Sequence, residues 1–251
     1  MMIRKCLRLV FVSALFLITA GCSNIPKVAE WVSEDHLPQK LAVYDGVFWG
    51  TGAVNFRDFI ATSNLFKEKT VYDIGTGTGI YALLAMQAGS KYVVATDIDP
   101  KAVKNAKLNA KIFGWADKID ARLVPESNTT AYSALKENER FDIIVSNPPW
   151  FGYTPDTVRS PTARHFTDEG FQLIDSLIKD MRNHLNPGGA AYLAIGNTEA
   201  IVLIENLAAT YQLKMEILDE KTNTAYIEAI AQPSDSSGFF IPAAILKISA
   251  L

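Results

Sequence analysis

Cysteine is nearly absent from this chain of 251 residues, which holds only Cys6 and Cys22. A chain beginning at Cys22 has no second thiol, and that excludes a scaffold stapled by internal disulfides. Histidine is almost as scarce: His36, His165 and His184 are scattered, with no cysteine–histidine spacing that would hold a metal, and no metal site is expected. No G-x-S-x-G elbow is present, so an exposed serine nucleophile at a strand–helix turn is excluded. Internal repeats and low-complexity segments are also lacking. The apolar run Leu9 to Ala20 has 12 residues, too few for the roughly 20 that a transmembrane helix needs. Finally, there is no excess of positive charge, with 24 Lys+Arg against 27 Asp+Glu.

What is present is the composition of one globular domain with a full core, 49% hydrophobic and 20% charged, plus a short appendage. Arg4, Lys5 and Arg8 precede the apolar run, and Gly21-Cys22 follows it, which reads as an export signal. Thr19-Ala20-Gly21-Cys22 resembles the bacterial lipobox, in which the cysteine is lipidated and becomes the first residue, although threonine stands where leucine is commonest. A buried amino-terminal helix and an uncleaved anchor helix are the alternatives. Residues 1–21 are therefore expected to be a signal peptide, 22–40 (with Pro26 and Pro38) a tether, and 41–251 the folded domain. Processing at Cys22 implies a lipid-anchored protein of the outer membrane or periplasm, since Ser23 lacks the aspartate associated with inner-membrane retention; without processing the chain is cytoplasmic. Removing residues 1–21 leaves 21 basic against 27 acidic side chains, which argues against broad nucleic-acid binding by charge. Helical spacing puts Lys101, Lys104, Lys107 and Lys111 on one face, either a local basic patch or a solvated surface.

From Thr70 onward, strand and helix patterns alternate. The expected elements are strand 70–74, helix 79–88, strand 91–96, helix 100–112, strand 119–124, helix 129–137, strand 141–146, helix 168–185, strand 190–195 and helix 198–210. Apolar alternation at 213–219, 224–231 and 242–249 suggests terminal antiparallel strands. Such an order predicts a mostly parallel sheet covered on both faces, with ligands at the carboxyl ends of its strands.

Two motifs fall at such ends. In Asp73-Ile74-Gly75-Thr76-Gly77-Thr78-Gly79, the glycines permit a sharp turn and leave no β-carbons where a ligand meets backbone. The start of the next helix suits an anion, such as the carboxylate of S-adenosylmethionine. Asp97, ending the second strand, is placed to accept both hydroxyls of a ribose. A dinucleotide fingerprint wants G-x-G-x-x-G, and Ile80 occupies its last position, so the spacing favours S-adenosylmethionine. Asp73 reads as a support for the loop, with Thr76 beside the glycines, and Asp99 as the cap of a helix starting at Pro100. Glu126 is either a partner for an adenine amine or an ordinary loop residue.

In the second motif, Ser146-Asn147-Pro148-Pro149-Trp150, the Asn147 side-chain oxygen and the Pro148 carbonyl can each accept one N–H of a planar amine. That localises the nitrogen lone pair and aims it at an electrophilic methyl group. Pro149 stiffens the rim, and Trp150 can stack on a planar acceptor.

With Asp97-Ile98-Asp99-Pro100, Phe141 to Trp150 and Leu185-Asn186-Pro187-Gly188-Gly189, residues 41–251 resemble the class I S-adenosylmethionine-dependent methyltransferases, in particular those with an Asn-Pro-Pro-aromatic motif. The resemblance implies an α/β, Rossmann-like, mostly parallel seven-stranded sheet with helices on both faces and an antiparallel carboxyl-terminal strand. It also implies transfer of a methyl group to an exocyclic amine of a nucleic-acid base or to a protein glutamine amide. Gly46-Val47-Phe48 is similar to the ribosomal-RNA guanine enzymes, and Ala194-Ile195-Gly196-Asn197 to the glutamine enzymes. Trp150 replaces the usual tyrosine or phenylalanine. The aromatic-rich stretch 27–60 is either a wall of the acceptor pocket or a cover for the sheet edge. The loop Gly152 to His165, with Arg159 and Arg164, is the natural selector of substrate. Two other readings stand beside this one: an exported, non-catalytic protein that binds a nucleoside-like ligand, and transfer of an aminopropyl group from a related donor.

Overall fold

The computed structural model describes residues 26–50, 53–151, 168–218 and 239–251. The chain enters as an antiparallel hairpin, β1 (Val28–Val32) and β2 (Leu41–Tyr44), and continues into α1 (Val54–Thr62). Alternation then follows: β3 (Thr70–Ile74), α2 (Ile80–Gln87), β4 (Tyr92–Asp97), α3 (Pro100–Ile112), β5 (Ile119–Leu123) and β6 (Phe141–Ser146). After α4 (Gln172–His184) come β7 (Leu185–Asn197), α5 (Thr198–Thr210), β8 (Leu213–Ile217) and β9 (Phe239–Ala250).

Seven strands form one sheet in the order β5-β4-β3-β6-β7-β9-β8. The first five are mutually parallel and β9 runs antiparallel to both of its neighbours, so the Rossmann-like architecture expected from the alternation is the one observed. The burial pattern explains why. Val71 to Ile74, Val93 to Thr96 and Ile143 to Ser146 are buried at every position, as strands covered on both faces must be. Helix α2 is apolar all round and buried from Ile80 to Met86, packed against β3, β4, α1 and α3. Helix α4 instead buries one stripe, Ile174, Leu177, Ile178 and Met181, at the helical repeat. Asp99 caps α3, its side chain accepting the Lys101 N–H at 2.8 Å ahead of Pro100 in the first turn.

Two expectations need correction, and three fall outside the described residues. The stretch 22–40 is not a tether along its whole length, because residues 28–32 pair with β2 and Leu37 is buried, so the domain begins by Val28. No helix forms over 129–137. There, side chains take the backbone groups that a helix would pair. Asn128 Oδ1 accepts from the Thr130 N–H and hydroxyl, the Ser133 hydroxyl donates to the Thr130 carbonyl, and Glu139 accepts the Lys136 N–H. Tyr132 and Ala131 then bond to Leu177 and Ser176 of α4. The strand expected at 224–231, the segment around Cys22 and the loop Gly152 to His165 lie outside the described residues.

Polar contacts dock the hairpin. Asn105 and Asn109, one turn apart and fully buried on α3, treat β2 as a neighbouring strand. The Ala42 N–H donates to Asn109 Oδ1 at 2.8 Å and the Tyr44 N–H to Asn105 Oδ1 at 2.7 Å. Both amides donate back to the Ala42 carbonyl, and Asn109 Nδ2 also donates to the Thr78 carbonyl in the glycine loop at 2.9 Å. A buried ion pair, Arg57 Nε to Glu34 Oε2 at 2.7 Å, secures the next turn, and the guanidinium also donates to the Gly50 carbonyl and faces the Trp49 ring. Replacing Asn109 with alanine strands the Ala42 N–H and the Thr78 carbonyl. Because a buried backbone group left unpaired costs about 1–3 kcal/mol, Asn109→Ala is expected to lower the stability of the fold by roughly 2–4 kcal/mol, read from urea unfolding.

Candidate active site

β3, β4 and β6 end side by side, at Ile74, Asp97 and Ser146, and the chain beyond each end turns into the wall of one cavity of about 270 Å³. Its floor is Gly75 and Gly77, one side is Asp97 to Pro100, and the opposite rim is Asn147 and Pro149. Val47 and Phe48, Thr129 to Ala131, and Leu173 complete it.

The glycine loop contributes shape. Gly75 has φ +74°, and a β-carbon there would meet nothing within 4 Å, so its absence leaves open space along the wall. At Gly77 a β-carbon would lie 2.4 Å from the Phe48 carbonyl, so only glycine lets the segment 47–50 close over the loop. Four of the loop's amides are bonded within the protein: Gly75 and Thr76 donate to the Thr96 carbonyl, Gly77 to Asp97 Oδ2, and Gly79 to the Thr76 carbonyl. The loop is thus a scaffold whose backbone is held largely by β4.

Asp97 is fixed at the wall by two backbone donors, the Gly77 N–H at 2.9 Å and the Asp99 N–H at 2.8 Å. A carboxylate held there is in place to accept a vicinal diol, as the strand position predicts. Asn147, half-buried at the end of β6, lines the cavity, and its Oδ1 is shielded from water without a hydrogen-bond partner. An unpaired buried acceptor is an uncommon cost, and this one stands on a residue that lines the cavity. The open floor at Gly75 and the fixed carboxylate fit a nucleoside cofactor such as S-adenosylmethionine, with ribose on Asp97, and leave the Asn147 amide oxygen on the opposite rim for a second ligand.

The residues expected at the site separate into those at the wall and those behind it. Gly75, Gly77, Asp97, Asn147 and Pro149 line the cavity, whereas Asp73, Thr76 and Gly79 sit behind the loop and Pro148 is buried between its neighbours. Glu126 is exposed and outside the cavity wall, and Thr129 to Ala131 occupy the place expected of it. Trp150 is not an open platform. It is 5% exposed and donates its indole N–H to the Ala194 carbonyl at 2.8 Å, because an indole at a strand end buries more apolar area in the core than at a rim. Ile98, Leu173 and Thr129 to Ala131 were not anticipated; the Asn128-Thr129-Thr130 turn chemistry was the available signal for the last. On the lysine face of α3, Lys101 donates to the Asp45 carbonyl.

Asp73 has no exposed surface, and its Oδ2 accepts the Thr76 hydroxyl at 2.6 Å. Burial, helped by the Asp97 charge, pushes its carboxyl up to about 7, against the lowering pull of Thr76 and the Ala82 N–H.

Comparison with known proteins agrees with the geometry. Residues 59–148 match the family model for ribosomal protein L11 methyltransferase (PrmA). The tRNA1(Val) (adenine(37)-N6)-methyltransferase of Shewanella pealeana is 30% identical over 179 residues, 67% of this chain and 65% of that protein. The release factor glutamine methyltransferase of Cereibacter sphaeroides is 28% identical over 202 residues, 73% of this chain and 70% of that one. Among solved structures, a methyltransferase from Pyrococcus furiosus superposes with a TM-score of 0.54 at 18% identity, covering 82% of this chain and 91% of that one. The chain spans 51–65% of the length of the tRNA-modifying relatives it matches.

Asp73 makes the fold sensitive to pH in a defined direction. An unfolded aspartate ionises near 3.8, whereas the folded one stays neutral up to about 7, so between those values the unfolded chain binds fewer protons than the native one. The contribution of Asp73 therefore falls as pH rises through that window, by on the order of 1.4 kcal/mol per unit at most, and levels off above it. Urea unfolding at pH 5 and pH 8 is expected to show a decline that Asp73→Asn flattens.

Proposed function

We propose that this chain, a class I S-adenosylmethionine-dependent methyltransferase by fold, transfers the methyl group to a planar nitrogen, with an exocyclic adenine amine of RNA as its first acceptor and a protein glutamine amide as its second. The observation that carries the reading is Asn147: its unpaired Oδ1 lies on the rim of the cavity that Asp97 and the glycine loop complete. The adenine reading draws support from similarity to the tRNA-modifying relatives, and the glutamine reading from the release-factor relative.

When bound, S-adenosylmethionine supplies a methyl group made electrophilic by its sulfonium. The chain's task is to prepare the nitrogen. Asn147 Oδ1 accepts one N–H and the Pro148 carbonyl the other, which holds the amine in plane, draws its lone pair out of conjugation and favours positive charge on nitrogen. Asp97 and the glycine loop would hold the cofactor, which would supply the methyl group to the positioned nitrogen, and the displaced amine proton would leave to solvent. With Trp150 turned into the core, Pro149 is the residue of the motif that lines the cavity beside Asn147.

The amino-terminal pattern supports a chain tethered to a membrane through lipid on Cys22. It also favours a second reading, an exported protein that holds a nucleoside-like ligand without turnover, because S-adenosylmethionine is made in the cytosol. Mass spectrometry of the native protein decides the location: a lipidated chain starting at Cys22 supports export, and an intact amino terminus returns the domain to the cytosol.

For the chemistry, isothermal titration with S-adenosylmethionine is combined with transfer of a tritiated methyl group to total tRNA and to release factors. Asn147→Ala is expected to lower kcat by about 10²–10³ with cofactor affinity changed less than threefold, the mark of an interaction made in the transition state. Asp97→Ala is expected to weaken cofactor binding about 10–100-fold, the worth of one or two hydrogen bonds to a charged acceptor. Tight binding by the wild type with no methylated product would overturn the enzymatic reading in favour of the second.

A further inference from the structure

Tyr72, in the middle of β3, is fully buried, its ring stacked on Phe141 at 5.1 Å between centroids and tilted against Tyr132 at 5.9 Å. A phenylalanine would fill that space without a polar atom to bury, so packing gives no reason for the hydroxyl. Its partners do. The Tyr72 hydroxyl donates to the Ala131 carbonyl at 2.5 Å, and with its single proton spent there, the Thr96 hydroxyl is the donor in the 3.0 Å bond between the two side-chain oxygens. Thr96 and Ala131 both line the cavity.

Residues 129–131 belong to no helix or strand, so no ladder of backbone bonds sets where they stand. Side chains set it instead. The Ala131 N–H donates to Ser176 Oγ at 3.0 Å, and that hydroxyl donates to the carbonyl of Leu173, another residue of the wall. Both backbone groups of Ala131 are therefore held, by Tyr72 from the sheet and by Ser176 from α4. Thr96 is the fixed end, its carbonyl taking the Gly75 and Thr76 N–H groups, and Asp97 follows it. Strand order says which part of a ligand lies between the two. β6, ending beside Asn147, and β5, whose following residue Val124 donates to the Asp97 carbonyl, stand on opposite sides of β3 and β4. A ribose on Asp97 with its transferred group toward Asn147 leaves its base on the side of Val124, in the same cavity as Thr129 to Ala131.

We propose that Tyr72 is a positioning residue for the cofactor: its hydroxyl ties Ala131 to Thr96 and so holds residues 129–131 at a set distance from Asp97, which forms the slot for the nucleoside base before the ligand arrives. The inference rests on the cofactor reading of the cavity given above. Without the hydroxyl the Ala131 carbonyl loses its partner and the wall is held from the α4 side alone, so part of the binding energy goes into ordering it. The loss falls on the nucleoside half of the ligand.

Tyr72→Phe keeps the ring and its packing. By isothermal titration its Kd for S-adenosylhomocysteine is expected to rise about 5–10-fold, and its Kd for adenosine by about the same factor. Ser176→Ala, which frees the other side of Ala131, is expected to raise Kd about threefold, and the double variant to fall short of the product, because one wall is released only once. A hydroxyl that served the fold alone would lower the urea midpoint and leave both Kd values within about twofold of the wild type. That result, or losses that multiply in the double variant, would overturn the proposal. Amide hydrogen exchange gives a readout free of ligand: in Tyr72→Phe the Ala131 N–H is expected to exchange about 10-fold faster while the Gly77 N–H, bonded to Asp97, keeps its rate. Rates unchanged at both, or raised equally at both, overturn it. If the wild type takes up no S-adenosylhomocysteine, the cofactor reading fails, while the Ala131 rate still decides whether Tyr72 holds the wall.

Discussion

Asn109 joins three parts of the chain that are far apart in sequence, bonding β2 through both its oxygen and its nitrogen and the glycine loop through the Thr78 carbonyl. The site depends on that tie. With β2 held against α3, the chain leaving it is directed toward the loop, and the Phe48 carbonyl comes to rest where a β-carbon on Gly77 would stand. The cavity roof, Val47 and Phe48, thus follows directly after a strand that is held by hydrogen bonds from α3. Buried amides suit the task because they offer donor and acceptor together and carry no charge to desolvate.

The division of labour inside the cavity follows from where backbone donors are already used. The glycine loop turns four of its amides toward Thr96, Asp97 and its own chain, and the polar side chains that face the cavity include Asp97 on one wall and Asn147 on the other. Carboxyl groups gather near one end of the cavity, with Asp97 and Asp99 on the wall and Asp73 behind it. Such a concentration favours a cationic ligand, while Asp73, held neutral up to about 7 chiefly by its burial, adds little charge of its own below that pH.

Much of the fold was legible beforehand because strands buried on both faces write continuous apolar runs, and those at 70–74, 92–97 and 141–146 fall where such runs stand. The helix expected at 129–137 failed for a local reason: Asn128, Ser133 and Glu139 compete with the helix for the same backbone groups. Trp150 failed for a tertiary one. An aromatic after two prolines reads equally as platform or as core, and the Ala194 carbonyl, 44 residues away in sequence, decides between them. Within 22–40, which reads as a tether, residues 28–40 belong to the domain because they are held by partners on α1 and α3 that no local pattern reveals.

The amino-acid sequence by itself determined the alternation, the turn at Gly75 to Gly79 and the positions of Asp97 and Asn147 at strand ends, since each depends on backbone preferences and periodicity within a few residues. The tertiary structure alone decided which of those groups reach the cavity, that most of the loop's amides are bonded within the protein, and that Glu126 faces solvent and Trp150 the core. These depend on which distant segments close over one another, and hydrogen bonds across 20 to 72 residues of chain, from Asp97 to Gly77 and from Ser146 to Ile74, are satisfied only once the sheet has assembled.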